Sequence, residues 1–153
     1  MQKLQIEKSD AVKLFKSAPE YFKKVLIATF GDKCFNGNII DRINSFEDAL
    51  EEKGKRPEEI FRASDPRHRI AQDKIEFIIS VINEDFKPDF SNSNQNKWCP
   101  FFKWSGSGFV FTHSYYYYDY SAAGTGARLC CETEAKSNHM GQQFIELYND
   151  FLK

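Results

Sequence analysis

The stretch WCPFFKWSGSGFVFTHSYYYYDY, residues 98–120, decides how this chain folds. Aromatic and β-branched side chains fit a pleated, half-buried surface, so both arms of the stretch read as strands. Gly106 and Gly108 punctuate the turn between them. Strands are expected over 98–104 and 109–120. Residues 121–126 form a small-residue loop leading to a third strand over 128–133. Consecutive strands joined by short loops predict a three-stranded antiparallel meander.

Side chains alternate across a strand. One face of 109–120 should therefore carry Phe109, Phe111, His113, Tyr115 and Tyr117. The other should carry Val110, Thr112, Ser114, Tyr116, Tyr118 and Tyr120. If helices cover one face only, a row of rings looks outward.

Working outward from the strands, the sequence turns helical on both sides. Downstream, Met140, Phe144, Leu147, Tyr148 and Phe151 recur at helical spacing. They predict an amphipathic helix over 134–152 packed on the sheet. Upstream, 91–97 is a polar loop and Pro88 breaks the pattern. Asp65-Pro66 is a helix start, with a cap followed by proline at the first helical position. Behind it Ile70, Ala71, Ile75, Phe77, Ile78, Ile79, Val81 and Ile82 make an apolar arc wide enough for a central helix. Pro57 begins a short helix holding Ile60 and Phe61. Ser45 with Asp48 starts another helix, which buries Phe46, Ala49 and Leu50 and ends at Gly54. Earlier still, Ser17 and Glu20 have capping-box spacing ahead of Phe22, Val25, Leu26 and Phe30. Gly31 stops that run, and Asn36-Gly37 marks a turn. Ser9 is a cap for Val12, Leu14 and Phe15, while Leu4 and Ile6 alternate as in a strand or extended arm. The expected class is α+β, a single domain over 1–153: helical 9–85, strands 98–133, helix 134–152.

Composition agrees with a packed core. Of 153 residues 41% are apolar and 16% aromatic, and large rings bury much area per residue. The net charge of -1 argues against affinity carried by a globally positive field. No apolar run approaches the roughly 20 residues that span a bilayer. The alternating polar N-terminus lacks a signal-peptide core, so a cytoplasmic protein with no membrane partner is expected. The four cysteines (Cys34, Cys99, Cys130, Cys131) do not form a secreted disulfide framework, and reduced thiols are expected.

Few constellations point to chemistry. Trp98, Trp104, Tyr116, Tyr118 and Tyr120, with Arg128, are the candidate binding residues, because exposed rings stack on bases or anchor a partner protein. Arg67 and Arg69 flank His68 at a helix start, where exposed N–H groups attract an anion. Against that stands a solvated face balanced by Glu58, Glu59 and Asp65. Cys130 and Cys131, adjacent on a strand, point to opposite faces and cannot share one metal ion. One is expected buried and one near the surface. No metal site, cofactor or catalytic set is assigned, because no Cys-x-x-Cys or His-Glu-x-x-His spacing occurs. A Cys99 or Cys131 nucleophile with His113 has no local support. Gly124-Thr125-Gly126 fits no phosphate loop. Asp89, Ser91 and Ser93 imitate a calcium loop, but the glycine is missing and Pro100 stands in place of the closing glutamate.

The runs 83–90 (NEDFKPDF), 92–95 (NSNQ) and 98–102 (WCPFF), with 126–130, 141–144 (GQQF), 147–148 and 150–152, resemble small uncharacterised proteins of gut-bacterial phages and integrated mobile elements. The likeness covers the second half of the chain, and 41–52 more loosely. Such proteins often carry Trp where this chain has Phe86 and Phe90, which preserves the aromatic character. The resemblance implies a mobile-element setting and carries over no activity and no catalytic residue.

Three functions remain on this reading. The favoured one is a non-catalytic accessory protein acting as a protein-interaction module on an unidentified partner. The alternatives are a single-stranded nucleic-acid binder using the strand tyrosines, and a small enzyme whose site the sequence does not identify. A second copy of the chain across a two-fold axis is a further candidate to cover the aromatic face.

Overall fold

The computed structural model describes residues 5–153. The expected segment around Leu4 lies partly outside these residues, and Ile6 belongs to neither helix nor strand. The fold class is α+β. The chain divides into two compact units, one up to Glu59 and one over Ile60–Lys153.

The first unit holds five helices: α1 (Lys8–Phe15), α2 (Glu20–Phe30), α3 (Lys33–Asn36), α4 (Ile39–Arg42) and α5 (Phe46–Lys53). Its core gathers Ala11, Leu26, Cys34, Ile39, Ile43, Phe46, Ala49 and Leu50. The α5 cap is as expected: Ser45 Oγ accepts from the Asp48 N–H at 3.0 Å, and Gly54 closes the helix with φ +61°. Two expected caps are not made. Neither α1 nor α2 has a side-chain cap, Ser9 is buried inside α1, and Pro19 precedes α2. The Asn36-Gly37 signal closes the single turn of α3 rather than a loop. Asn38, an unanticipated cap, accepts from the Ile40 N–H. The Arg42 guanidinium grips the shielded Glu52 carboxylate at 2.8 Å and also donates to the Gly37 carbonyl at 3.1 Å, so this ion pair has its hydrogen bonds met.

The second unit contains α6 (Arg67–Asn83), β1 (Lys97–Trp104), β2 (Phe109–Tyr117), α7 (Glu134–Gln143) and α8 (Ile145–Leu152). The upstream Pro57 starts only a 3-10 turn, Pro57–Glu59, which ends before Ile60 and Phe61. Helix α6 begins one residue later than Asp65-Pro66 suggests, with Pro66 itself in the cap position. Ala71, Ile75, Ile78, Ile79, Val81 and Ile82 are all buried, so it is the central helix the apolar arc requires. The last helix is broken in two at Phe144, whose φ of -108° and ψ of 28° leave the helical region.

The sheet is a two-stranded antiparallel ribbon, Lys97 opposite Tyr117 and Trp104 opposite Phe109. The expected third strand is absent among the described residues and reduces to one bridge, Trp98 with Cys131. The reason is where its backbone groups go. Ala127–Leu129 coils into a 3-10 turn, with the Cys130 N–H donating back to the Ala127 carbonyl. Beyond it, Asn83 of α6 takes over what a strand neighbour would supply. Its Nδ2 donates to the Cys130 carbonyl at 2.9 Å, and its Oδ1 accepts from the Glu132 N–H at 3.0 Å.

Alternation along β2 is also interrupted. The register shifts at Phe101/Phe102, leaving Thr112 as an extra residue without a cross-strand partner. The Thr112 hydroxyl donates to the Phe101 carbonyl at 3.0 Å. The bulge moves Phe111 to the same face as Ser114, and that face meets α7. Ser114 donates to the Ser137 hydroxyl at 2.7 Å. At Gly141 a methyl group would lie only 2.6 Å from Phe111 Cε2 and 2.9 Å from Pro100 Cβ. Helix α8 holds the turn end of β2, where Asn149 both accepts from the Phe109 N–H and donates to its carbonyl.

Candidate aromatic interaction surface

The face of the ribbon away from α7 carries Lys97, Cys99, Phe101, His113, Tyr115 and Tyr117. Phe101 stacks on His113 with centroids 5.4 Å apart and meets Tyr115 edge-on at 6.3 Å. This face is not uniformly open. At the Lys97 end it is closed by the segment after β2: Cys99, Tyr117 and Cys130 form a buried cluster flanked by Phe90 and Phe101. The proposition that only one side of the ribbon is shielded therefore fails at this end, because the chain from 118 to 131 folds back over it. Lys97 is fully buried there. Its ammonium donates to the carbonyls of Asn92 at 2.7 Å and Tyr118 at 2.6 Å and sits 5.2 Å from the Phe90 ring centroid.

Exposed rings remain at the margin of this cover. β2 ends at Tyr117, so Tyr118 and Tyr120 lie on the next segment and not on the strand. They meet edge to face at 5.2 Å, and Tyr120 also packs edge-on against Tyr117 at 5.3 Å. Tyr115 and Tyr116, on opposite faces by alternation, stack across the strand edge at 5.3 Å and 12°, and Tyr116 leans on Trp98 at 5.1 Å. Tyr115, Tyr118 and Tyr120 keep 47%, 41% and 48% of their surface exposed. Burial among neighbouring rings pushes the Tyr117 phenol above its ordinary range.

The structure brings Trp98, Tyr116, Tyr118 and Tyr120 into one connected set of rings. It does not bring Trp104 or Arg128 there. Trp104 lies at the turn end, against Phe109 and the Lys153 ammonium. Arg128 faces Glu76 of α6 at 3.6 Å. Arg67 is 2.7 Å from Asp150 and Arg69 3.7 Å from Asp73, so carboxylates already occupy the positions an anion would take. Tyr115 contributes exposed area although alternation puts it opposite Tyr116, because α7 covers the face that carries Ser114 and Tyr116.

The thiols are arranged differently from expectation. Cys130 and Cys131 are both fully buried, because this short stretch is covered on both its faces before the chain emerges at Glu132. Burial pushes the Cys131 thiol well up. Cys99 is pushed up by its contact with Cys130 and by burial. His113 is exposed and shares its Nδ1 with the Thr112 hydroxyl at 2.9 Å. The Asp89 carboxylate is held below its usual range by the Ser91 hydroxyl and N–H, which close a local turn. Among the described residues no group of three or more His, Cys, Asp or Glu side chains stands close enough to hold a metal ion. No described helix is long and apolar enough to cross a membrane. No family model, curated protein or solved structure matches this chain.

Proposed function

We propose that the chain is a non-catalytic accessory protein of phages and integrated mobile elements, acting as a module that binds another protein through Tyr115, Tyr116, Tyr118 and Tyr120. The observation that carries this reading is a group of rings exposed to solvent yet ordered against one another. Such rings present large contact area at low conformational cost, as hot-spot residues do. The charge around them favours a protein over a nucleic acid. A single strand needs cations along its backbone. Here Lys97 is buried on carbonyl oxygens and Arg128 faces a carboxylate. The neighbouring Cys131 thiol is held protonated by burial, which suits a scaffold better than a nucleophile.

A photo-crosslinking residue placed at position 118 or 120, in cells carrying the encoding element, tests the reading. The exposed Tyr21 of α2 serves as control. A discrete protein adduct is expected from 118 and 120, absent from 21 and lost on adding Tyr115→Ala. Adducts only with nucleic acid, matched by oligonucleotide binding that weakens steeply with salt, would replace this reading with the single-strand one. An adduct only with a second copy of the chain would make the surface a dimer contact.

A further inference from the structure

We propose that Cys99 and Cys130 are a reversible disulfide site, formed by reaction with a hydroperoxide, which clamps the 118–130 segment onto β1. The geometry stands on the single bridge that survives of the third strand. Trp98 and Cys131 exchange both backbone hydrogen bonds, at 2.9 and 2.7 Å. In antiparallel pairing the next pair along is Cys99 with Cys130, in the non-hydrogen-bonded position. Such pairs hold their Cα atoms about 4.5 Å apart, within the roughly 4.4–6.8 Å that a disulfide spans. The two Sγ atoms are 3.1 Å apart, with both side chains on the same face.

Two further observations bear on reactivity. Cys99 lines a cavity of about 110 Å³, together with Pro100, Phe102, Thr125, Leu129 and Tyr148. A water needs on the order of 10–15 Å³, so the cavity has room for a small hydroperoxide beside Cys99 without the core opening. The Cys99 thiol and the Lys97 ammonium pull the Cys130 thiol below its ordinary range, against its burial. Either sulfur of the pair serves as the nucleophile, the two lying 3.1 Å apart. The attacking thiolate takes one peroxide oxygen as the O–O bond breaks, giving a sulfenic acid and an alcohol or water. The second sulfur then displaces the sulfenic oxygen as water and closes the S–S bond. Overall two thiols and one hydroperoxide give one disulfide, one alcohol and one water, the two sulfur electrons having reduced the peroxide. Cys131 looks to the opposite face, so it does not compete.

The test is oxidation of the purified full chain with hydrogen peroxide, then thiol counting in denaturant and mass mapping of peptides. The four thiols are expected to fall to two, with the mass of two hydrogens lost and one crosslink, Cys99–Cys130, that dithiothreitol reverses. Closing a loop of about 30 residues should raise Tm by roughly 10 °C in the oxidised form. Cys131→Ala should oxidise as the parent does, and Cys99→Ser should form no crosslink. Retention of all four thiols, a crosslink between Cys130 and Cys131, or sulfinic acid without a crosslink would each overturn the proposal. Because the parent chain alone gives these outcomes, a variant that misfolds does not blur them.

Discussion

The two ends of the ribbon are built from the same kinds of residue and do different things. At one end Lys97, Cys99 and Tyr117 are sealed beneath the returning chain, and a lysine is fully buried. At the other, Trp104 and Val110 are about half exposed beside the turn. Beside the sealed end, at the margin of the cover, lies the cluster of exposed tyrosines. The difference arises from the segment that leaves the strand, residues 118–131, and not from the strand itself. Burial at the sealed end depends on Asn83 and Lys97 fixing this non-repetitive segment through its backbone, so it rests on a few polar side chains. The surface of the tyrosine cluster is the part that the segment leaves uncovered.

Removing a polar anchor of the sealed end should have the largest effect. Asn83→Ala strands the buried Cys130 carbonyl and the Glu132 N–H. It should cost about 3 kcal/mol in chemical denaturation and uncover the cysteines to thiol reagents. Gly141→Ala attacks the face against α7 instead. It must push Phe111 or Pro100 aside and should cost about 2 kcal/mol while leaving the cysteines protected. A loss as large as that of Asn83→Ala, with the thiols exposed, would show the two faces to be one cooperative unit.

Alkaline pH sharpens the same contrast. Burial raises the Tyr148 phenol and the Cys131 thiol above their ordinary values in the folded state. The folded protein then binds more protons than the unfolded chain at high pH. Stability is full below the unfolded values and is lost as pH rises, beginning near the ordinary thiol value of about 9. Denaturant midpoints measured from pH 7 to 11 should fall steadily above that value, and a flat profile would contradict the enclosed placement of these groups.

Much of this fold is legible in the sequence where a rule acts over one short span. The Ser45 cap, the Gly54 stop, the apolar arc of α6 and the strand–turn–strand of 98–117 all depend on residues close in the chain. The missing third strand depends on Asn83, far away, which reads as an ordinary helix residue until its amide is seen bonded to Cys130 and Glu132. The bulge at Thr112 is silent for a similar reason, since threonine suits a regular strand equally well. That silence misassigns Phe109 and Phe111. The aromatic cluster is visible as composition, but its membership requires the path of 118–131. Trp104 and Arg128 fall outside it because the ribbon length and the Glu76 contact are properties of the folded unit.

The smallest expected effect on stability belongs to the surface that carries the proposed function. In a Tyr115→Ala, Tyr118→Ala, Tyr120→Ala triple variant, the unfolding free energy should stay within about 1 kcal/mol of the parent, as exposed positions allow. The protein adduct formed from a crosslinker at position 116 in the parent should disappear in it. A variant that folds equally well and still forms that adduct, or one destabilised by several kcal/mol, would contradict the assignment of these rings to recognition.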